Sequence, residues 1–133
     1  MRLCACLEVP MDIIEPCGFV LSDKNLRRAG MDYIMHLDLT RHTSWDAFKT
    51  ATGGKRLVLM STKADRSFLD FAFQTEDVLI AGRESAGVPA HVSGHCAARI
   101  KIPMIAAARS LNVALASALV LGEALRQTRG YPS

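Results

Sequence analysis

Apolar positions in this chain cluster into short continuous runs, and helical segments separate them. Met11-Asp12-Ile13-Ile14 reads as a strand closed by Glu15-Pro16. Residues 22–29 read as a helix, with Ser22 placed to cap its first N–H groups and Gly30 able to take the left-handed turn after its end. Residues 34–39 predict a second strand. Ser44 opens a helix running through Ala51, which Gly53-Gly54 stops. Trp45 is expected to pack that helix against the sheet. The runs at 56–60 and 77–81 are continuously apolar after their first residues, Arg56 and Asp77, as in strands covered on both faces in a parallel sheet. Residues 98–104 predict a further strand, and 111–128 a long closing helix. This alternation predicts an α/β fold, a mainly parallel sheet flanked by helices. With 133 residues and no repeat, linker or low-complexity stretch, residues 1–133 read as a single domain.

Composition narrows the class. Half the residues are apolar and 22% are charged, which suits a packed core and not a disordered chain. At this length roughly two thirds of the unfolded surface is buried on folding. A net charge of +3 does not by itself argue for a nucleic-acid partner, but it permits a local basic patch. Cys4, Cys6, Cys17 and Cys96 form no CxxC pair and read as reduced thiols of a cytoplasmic protein. The N-terminus is too short and acidic for a signal peptide. The longest apolar stretch, 113–121, is well below the ~18 residues that span a bilayer.

The candidate chemistry lies in the last third. Gly82-Arg83-Glu84-Ser85-Ala86-Gly87 follows the 77–81 strand, where open α/β sheets bind ligands and glycine lets backbone approach them. Taken alone it is an ordinary strand-to-loop turn. Ile100-Lys101-Ile102-Pro103-Met104 reads equally as a core strand. Ser110 and Asn112 can simply cap the helix that follows, and Met60 alone suits core packing. Lys24, Arg27 and Arg28 share one short helix, and such clusters are usually solvated faces. His91 and His95 invite a metal reading, but no acidic partner or second ligand pair accompanies them, so no metal is expected.

In this order and spacing, the three segments resemble motifs 2 and 3 of the knotted SPOUT RNA methyltransferases. Ile14-Glu15-Pro16, Asp23-Lys24, Arg27-Arg28, Gly30 and Asp32-Tyr33 resemble the tRNA wobble-position 2′-O-methyltransferases in particular, as do Glu123 to Gln127 and Gly130-Tyr131-Pro132. The resemblance implies a six-stranded parallel sheet, a C-terminal trefoil knot and a homodimer. It implies S-adenosylmethionine as methyl donor, S-adenosylhomocysteine as product, and tRNA as substrate, methylated on the wobble ribose 2′-oxygen. Met60, Gly82, Glu84, Gly87, Ile102, Met104, Ser110, Leu111 and Asn112 are then expected in the cofactor pocket. Arg2 is the expected catalytic group, and Lys24, Arg27, Arg28, Arg41 and Arg109 the RNA contacts.

Family members begin with a strand and a Pro-x-Asn-x-Gly-Asn loop before the helix that carries the arginine; this chain starts inside that helix. A second reading is therefore a shortened homologue that binds cofactor or RNA with weak transfer. A different nucleotide-binding α/β domain is a third, against which the missing GxGxxG and P-loop patterns count.

Overall fold

The computed structural model describes residues 2–15, 38–82, 88–105 and 111–132. The helix expected over 22–29 and residues 34–37 of the second expected strand lie outside them, as does Cys17. The chain divides into two compact units, 1–53 with 131–133, and 54–130.

In the first unit, helix α1 (Arg2–Cys6) leads to strand β1 (Met11–Ile14), then strand β2 (Leu39–His42) and helix α2 (Trp45–Ala51). The two strands pair in parallel, Met11 opposite Leu39 and Ile14 opposite His42. Strand β2 thus begins where the apolar pattern predicted it would end. Thr40-Arg41-His42 carry little strand signal, yet cross-strand partners hold them in place. Arg41 donates to Glu15 at 2.8 Å, and the buried His42 ring meets the Asp12 carboxylate at 2.8 Å through Nε2. Ser44 caps α2 as expected, its Oγ accepting from the Ala47 N–H at 3.1 Å. Gly54 follows the helix end at φ +87, a conformation that disfavours any side chain. Phe48, rather than Trp45, is the residue that α2 buries. Its ring meets His42 edge-on at 5.3 Å, and Trp45 stacks on its other side at 5.4 Å.

The second unit holds strand β3 (Leu57–Met60), a short 3-10 turn (Phe68–Asp70), strand β4 (Val78–Ala81), helix α3 (Ala90–His95), strand β5 (Ala98–Ile100) and helix α4 (Val113–Thr128). Its sheet is parallel throughout, in the order β4-β3-β5. The central strand buries Leu57, Val58 and Leu59 in succession, as its unbroken apolar run predicts. Its core gathers Val58, Phe68, Phe71, Phe73, Ile100 and Val120.

Beyond β2, two boundaries and one element differ from the sequence pattern. Strand β5 stops at Ile100 and not at Met104, since its partner β3 ends at Met60 and Lys101 pairs instead with Ser67, its N–H donating to the Arg66 carbonyl. Helix α3 was not expected; it opens at Pro89 without a side-chain cap, and it is tied down by buried Val92 and Cys96. Helix α4 starts at Val113, two residues late, because Asn112 serves as its cap: Oδ1 accepts from the Ala114 N–H at 2.8 Å.

Side chains satisfy the irregular backbone between the 3-10 turn and β4. Gln127 accepts from the Phe73 N–H at 2.8 Å and donates to the Phe71 carbonyl at 2.9 Å. Glu123 is bonded by Arg126 and by Gln127, which together draw its carboxyl down to about 2. Arg56 grips Asp77 with two bonds, 2.7 and 2.6 Å, and lies 4.8 Å from the Phe71 ring. Burial by itself would push the Asp77 carboxyl up. The guanidinium and the Gln74 N–H outweigh it and hold the group below its ordinary 3.8.

A carboxyl held lower in the folded state adds stability that is complete above 3.8 and is lost as pH falls through the folded value. Asp77→Asn should therefore lower stability at neutral pH by about 1.5–3 kcal/mol, the range for charged hydrogen bonds. It should also flatten the acid limb of a urea-midpoint series. Parallel acid limbs for the parent and the variant would show that the pair contributes nothing.

Candidate functional site

Register lines up the carboxyl ends of the three central strands. Met60, the last residue of β3, faces Ala81 of β4 on one side and Ile100 of β5 on the other. Ligands of open α/β sheets bind just beyond such ends. Gly82 follows β4 there, and residues 102–105 run on from β5 past the ladder. Met60, Gly82, Ile102 and Met104 are all half-buried. Met60 and Ile102 rest on the core, so each offers a supported apolar surface at an accessible edge. That suits a flat aromatic group such as an adenine, with nearby peptide groups to read its edge.

The structure thus brings Met60, Gly82 and Ile102 to one end of one sheet, with Met104 two residues further on. Leu111 is half-buried and Asn112 exposed at the start of α4. The capping reading of Asn112 holds, through its bond to Ala114. Arg2 opens α1, and Arg41 sits exposed on β2 in its pair with Glu15, both in the first unit. Glu84, Gly87, Arg109, Ser110, Lys24, Arg27 and Arg28 lie outside the described residues. So do segments 83–87 and 106–110.

His91 and His95 fall one turn apart on α3, both exposed. Beside them Cys96 is buried; its thiol donates to the Val92 carbonyl, and burial pushes its pKa up, away from the thiolate that a metal needs. Among the described residues no group of three or more His, Cys, Asp or Glu side chains is placed to hold a metal. Cys4 and Cys6 are free thiols as well. No helix among these residues is long and apolar enough to cross a membrane.

One part of the site escaped the sequence reading. The turn at 61–66 follows Met60 and carries Lys63 and Arg66 beside the strand ends. Residues 66 and 101 are 35 positions apart in the chain; the pairing of Ser67 with Lys101 and the bond from the Lys101 N–H to the Arg66 carbonyl make them neighbours.

Comparison with known proteins agrees with this geometry. The SpoU rRNA Methylase family matches residues 1–122. A tRNA (cytidine(34)-2′-O)-methyltransferase of Beijerinckia indica is 55% identical over 129 residues, 96% of this chain and 81% of that protein. A solved structure described as giving insight into 2-OH methylation of C/U34 on tRNA superposes with a TM-score of 0.88 at 40% identity, covering 95% of this chain and 83% of its own. The SpoU methyltransferase AviRb of Streptomyces viridochromogenes, in complex with AdoMet, superposes with a TM-score of 0.77 at 28% identity, over 95% of this chain and 53% of that one. With the family match running from the first residue into α4, and the fold superposing on these methyltransferases, the chain belongs to the SpoU rRNA Methylase family.

Proposed function

We propose that this chain transfers a methyl group from S-adenosylmethionine to the ribose 2′-oxygen of the wobble nucleotide in a tRNA anticodon loop, working as a homodimer. The observation that carries the reading is the 55% identity, over 96% of the chain, to a relative named for that reaction at position 34.

Bound S-adenosylmethionine supplies an already activated methyl group on its sulfonium, so the protein's task is alignment and exclusion of water. Met60, Ile102, Met104 and Leu111 provide the apolar surface for the adenosine. Gly82 and Gly87 allow close backbone approach, and Glu84, Ser110 and Asn112 offer polar contacts at its rim. Arg2 cannot take the 2′-hydroxyl proton, since a guanidinium stays charged at every workable pH. Its role is to hold an RNA phosphate and stabilise the negative charge that develops on the 2′-oxygen. Lys24, Arg27, Arg28, Arg41 and Arg109 contact further phosphates, which position the tRNA without reading its sequence. The exposed Arg41–Glu15 pair is worth at most ~1 kcal/mol, so exchanging Glu15 for a phosphate is cheap.

The test is transfer of tritiated methyl from S-adenosylmethionine to unmodified tRNA with chelator present, followed by nucleoside analysis. Label should appear as 2′-O-methylcytidine or 2′-O-methyluridine at position 34, and calorimetry should show S-adenosylhomocysteine binding. Label on a base would refute the 2′-oxygen assignment. Cofactor binding without any transfer to tRNA would favour the weak-transfer reading. A folded sample that gives no heat at millimolar S-adenosylhomocysteine would remove the cofactor assignment as well.

A further inference from the structure

We infer that Lys63, Arg66 and Lys101 form an additional RNA-phosphate contact, which seats the substrate strand beside the methyl-donor end of the sheet. The inference rests on the tRNA reading above and adds residues that it does not use.

The backbone makes the case first. Between β3 and the 3-10 turn the chain arches over the end of β5 and is pinned there at both feet. The Ser61 N–H donates to the Ile100 carbonyl at 2.8 Å. At the other foot the Lys101 N–H donates to the Arg66 carbonyl, and the Phe68 N–H to the Lys101 carbonyl, each at 2.8 Å. Inside the arch, the Lys63 and Ala64 N–H groups turn back onto Ser61, and the Ala64 side chain is buried. Lys63 therefore stands on the crown of a braced turn, Arg66 at its foot, and Lys101 on the segment that both feet grip. All three lie just past Met60 and Ile100, the ends of β3 and β5, beside the residues assigned to the donor pocket.

Charge is the second observation. Arg41, Lys49, Arg56 and Arg126 each sit in an ion pair with a carboxylate. Among the described residues no carboxylate is within ion-pair distance of Lys63, Arg66 or Lys101. Asp65 in the same turn removes one charge, leaving a net of about +2. Lys101 is half-buried directly after the fully buried Ile100. A lysine there surrenders hydration that no side chain returns. Arg66 lies 5.5 Å from the Phe71 ring, a contact that orients its planar fork. The hydrogen bonds that brace the arch use the backbone of these three residues and not their charged groups. Cations carried on a braced backbone match the spaced anions of an RNA strand.

The experiment uses the full chain and unmodified tRNA. Affinity is measured across a salt series for the parent, for Lys63→Gln, Arg66→Gln and Lys101→Gln, and for the triple variant, with thermal melts as a folding control. Each phosphate contact contributes about 0.7 to the slope of log affinity against log salt for single-stranded RNA, so the triple variant should be shallower by about 2. S-adenosylhomocysteine affinity should not change. Because Arg66→Gln also loses the Phe71 contact, Arg66→Lys is included, and it should retain most of the parent slope.

An unchanged slope in the triple variant, with the parent binding tRNA normally, overturns this inference and leaves the proposed function standing. Weakened S-adenosylhomocysteine with unchanged tRNA affinity overturns it too, and reassigns the cations to the amino-acid carboxylate of the cofactor. A parent chain that binds cofactor but no tRNA removes the inference together with the reading it rests on.

Discussion

Arg2→Ala is expected to slow methyl transfer to tRNA about 10²–10³-fold, or roughly 2.7–4 kcal/mol, the usual loss when one preorganised donor is taken from a developing oxyanion. Cofactor affinity should not move, because the residues assigned to that pocket all lie from Met60 onward. The substitution also leaves the other anchors of its helix in place. Helix α1 is anchored by the buried Ala5 and by the turn that returns the Val9 N–H to the Cys4 carbonyl at 2.9 Å. Alanine favours the helix as well as arginine does. Arg2→Lys separates charge from geometry. It keeps the cation and loses the planar fork, so its rate should fall between the parent and the alanine variant. Single-turnover transfer with saturating tRNA is the measurement. An alanine variant that transfers at the parent rate, or one that loses cofactor affinity to the same extent as rate, would show that Arg2 does not act on the reacting oxygen.

The parts of this protein that were legible in the sequence are those governed by local pattern. Three successive buried residues in β3, the Ser44 cap and the end of α4 at Thr128 follow from apolar periodicity and cap chemistry alone. Elements decided by distant partners were not legible. Strand β2 recruits Thr40, Arg41 and His42 because β1 supplies Glu15 and Asp12 about 26 to 30 residues away in the chain. Helix α3 is six residues with a glycine and no side-chain cap, so its own preferences are weak and the burial of Val92 decides it. The candidate site divides in the same way. Met60, Gly82 and Ile102 could be named from motifs, because each closes or follows an apolar run that reads locally as a strand. Lys63, Arg66 and Lys101 could not, since nothing local marks a lysine and an arginine in an ordinary turn as neighbours of another lysine. The resemblance to wobble methyltransferases assigned chemistry that periodicity could not, and the family match and the 55% identical relative support it.

The double variant Leu115→Glu, Leu119→Glu is expected to convert a dimer into a folded monomer and to abolish most transfer. Helix α4 uses one face inward, where Val120 is almost fully buried and Gln127 ties down the backbone of Phe71 and Phe73. On another face Leu115 and Leu119, one turn apart, remain 61% and 50% exposed, with Val113 also exposed. A stripe of this kind is costly in water and marks a surface meant to be covered. Full burial of a leucine contributes about 1.5–3 kcal/mol, so four half-exposed leucines across two copies supply about 3–6 kcal/mol, a factor of about 10²–10⁴ in the dissociation constant. Glutamate in their place removes that gain and puts like charges opposite one another, while leaving Val120 and the core in place. Sedimentation should report two chains for the parent at micromolar concentration and one for the variant, with matching helical content. Transfer should fall with the dimer, because the family resemblance has each pocket completed by the partner chain. A parent that sediments as a monomer, or a variant that remains a dimer, would assign this face of α4 some other role. A monomeric variant that transfers at the parent rate would show that each pocket is complete within one chain.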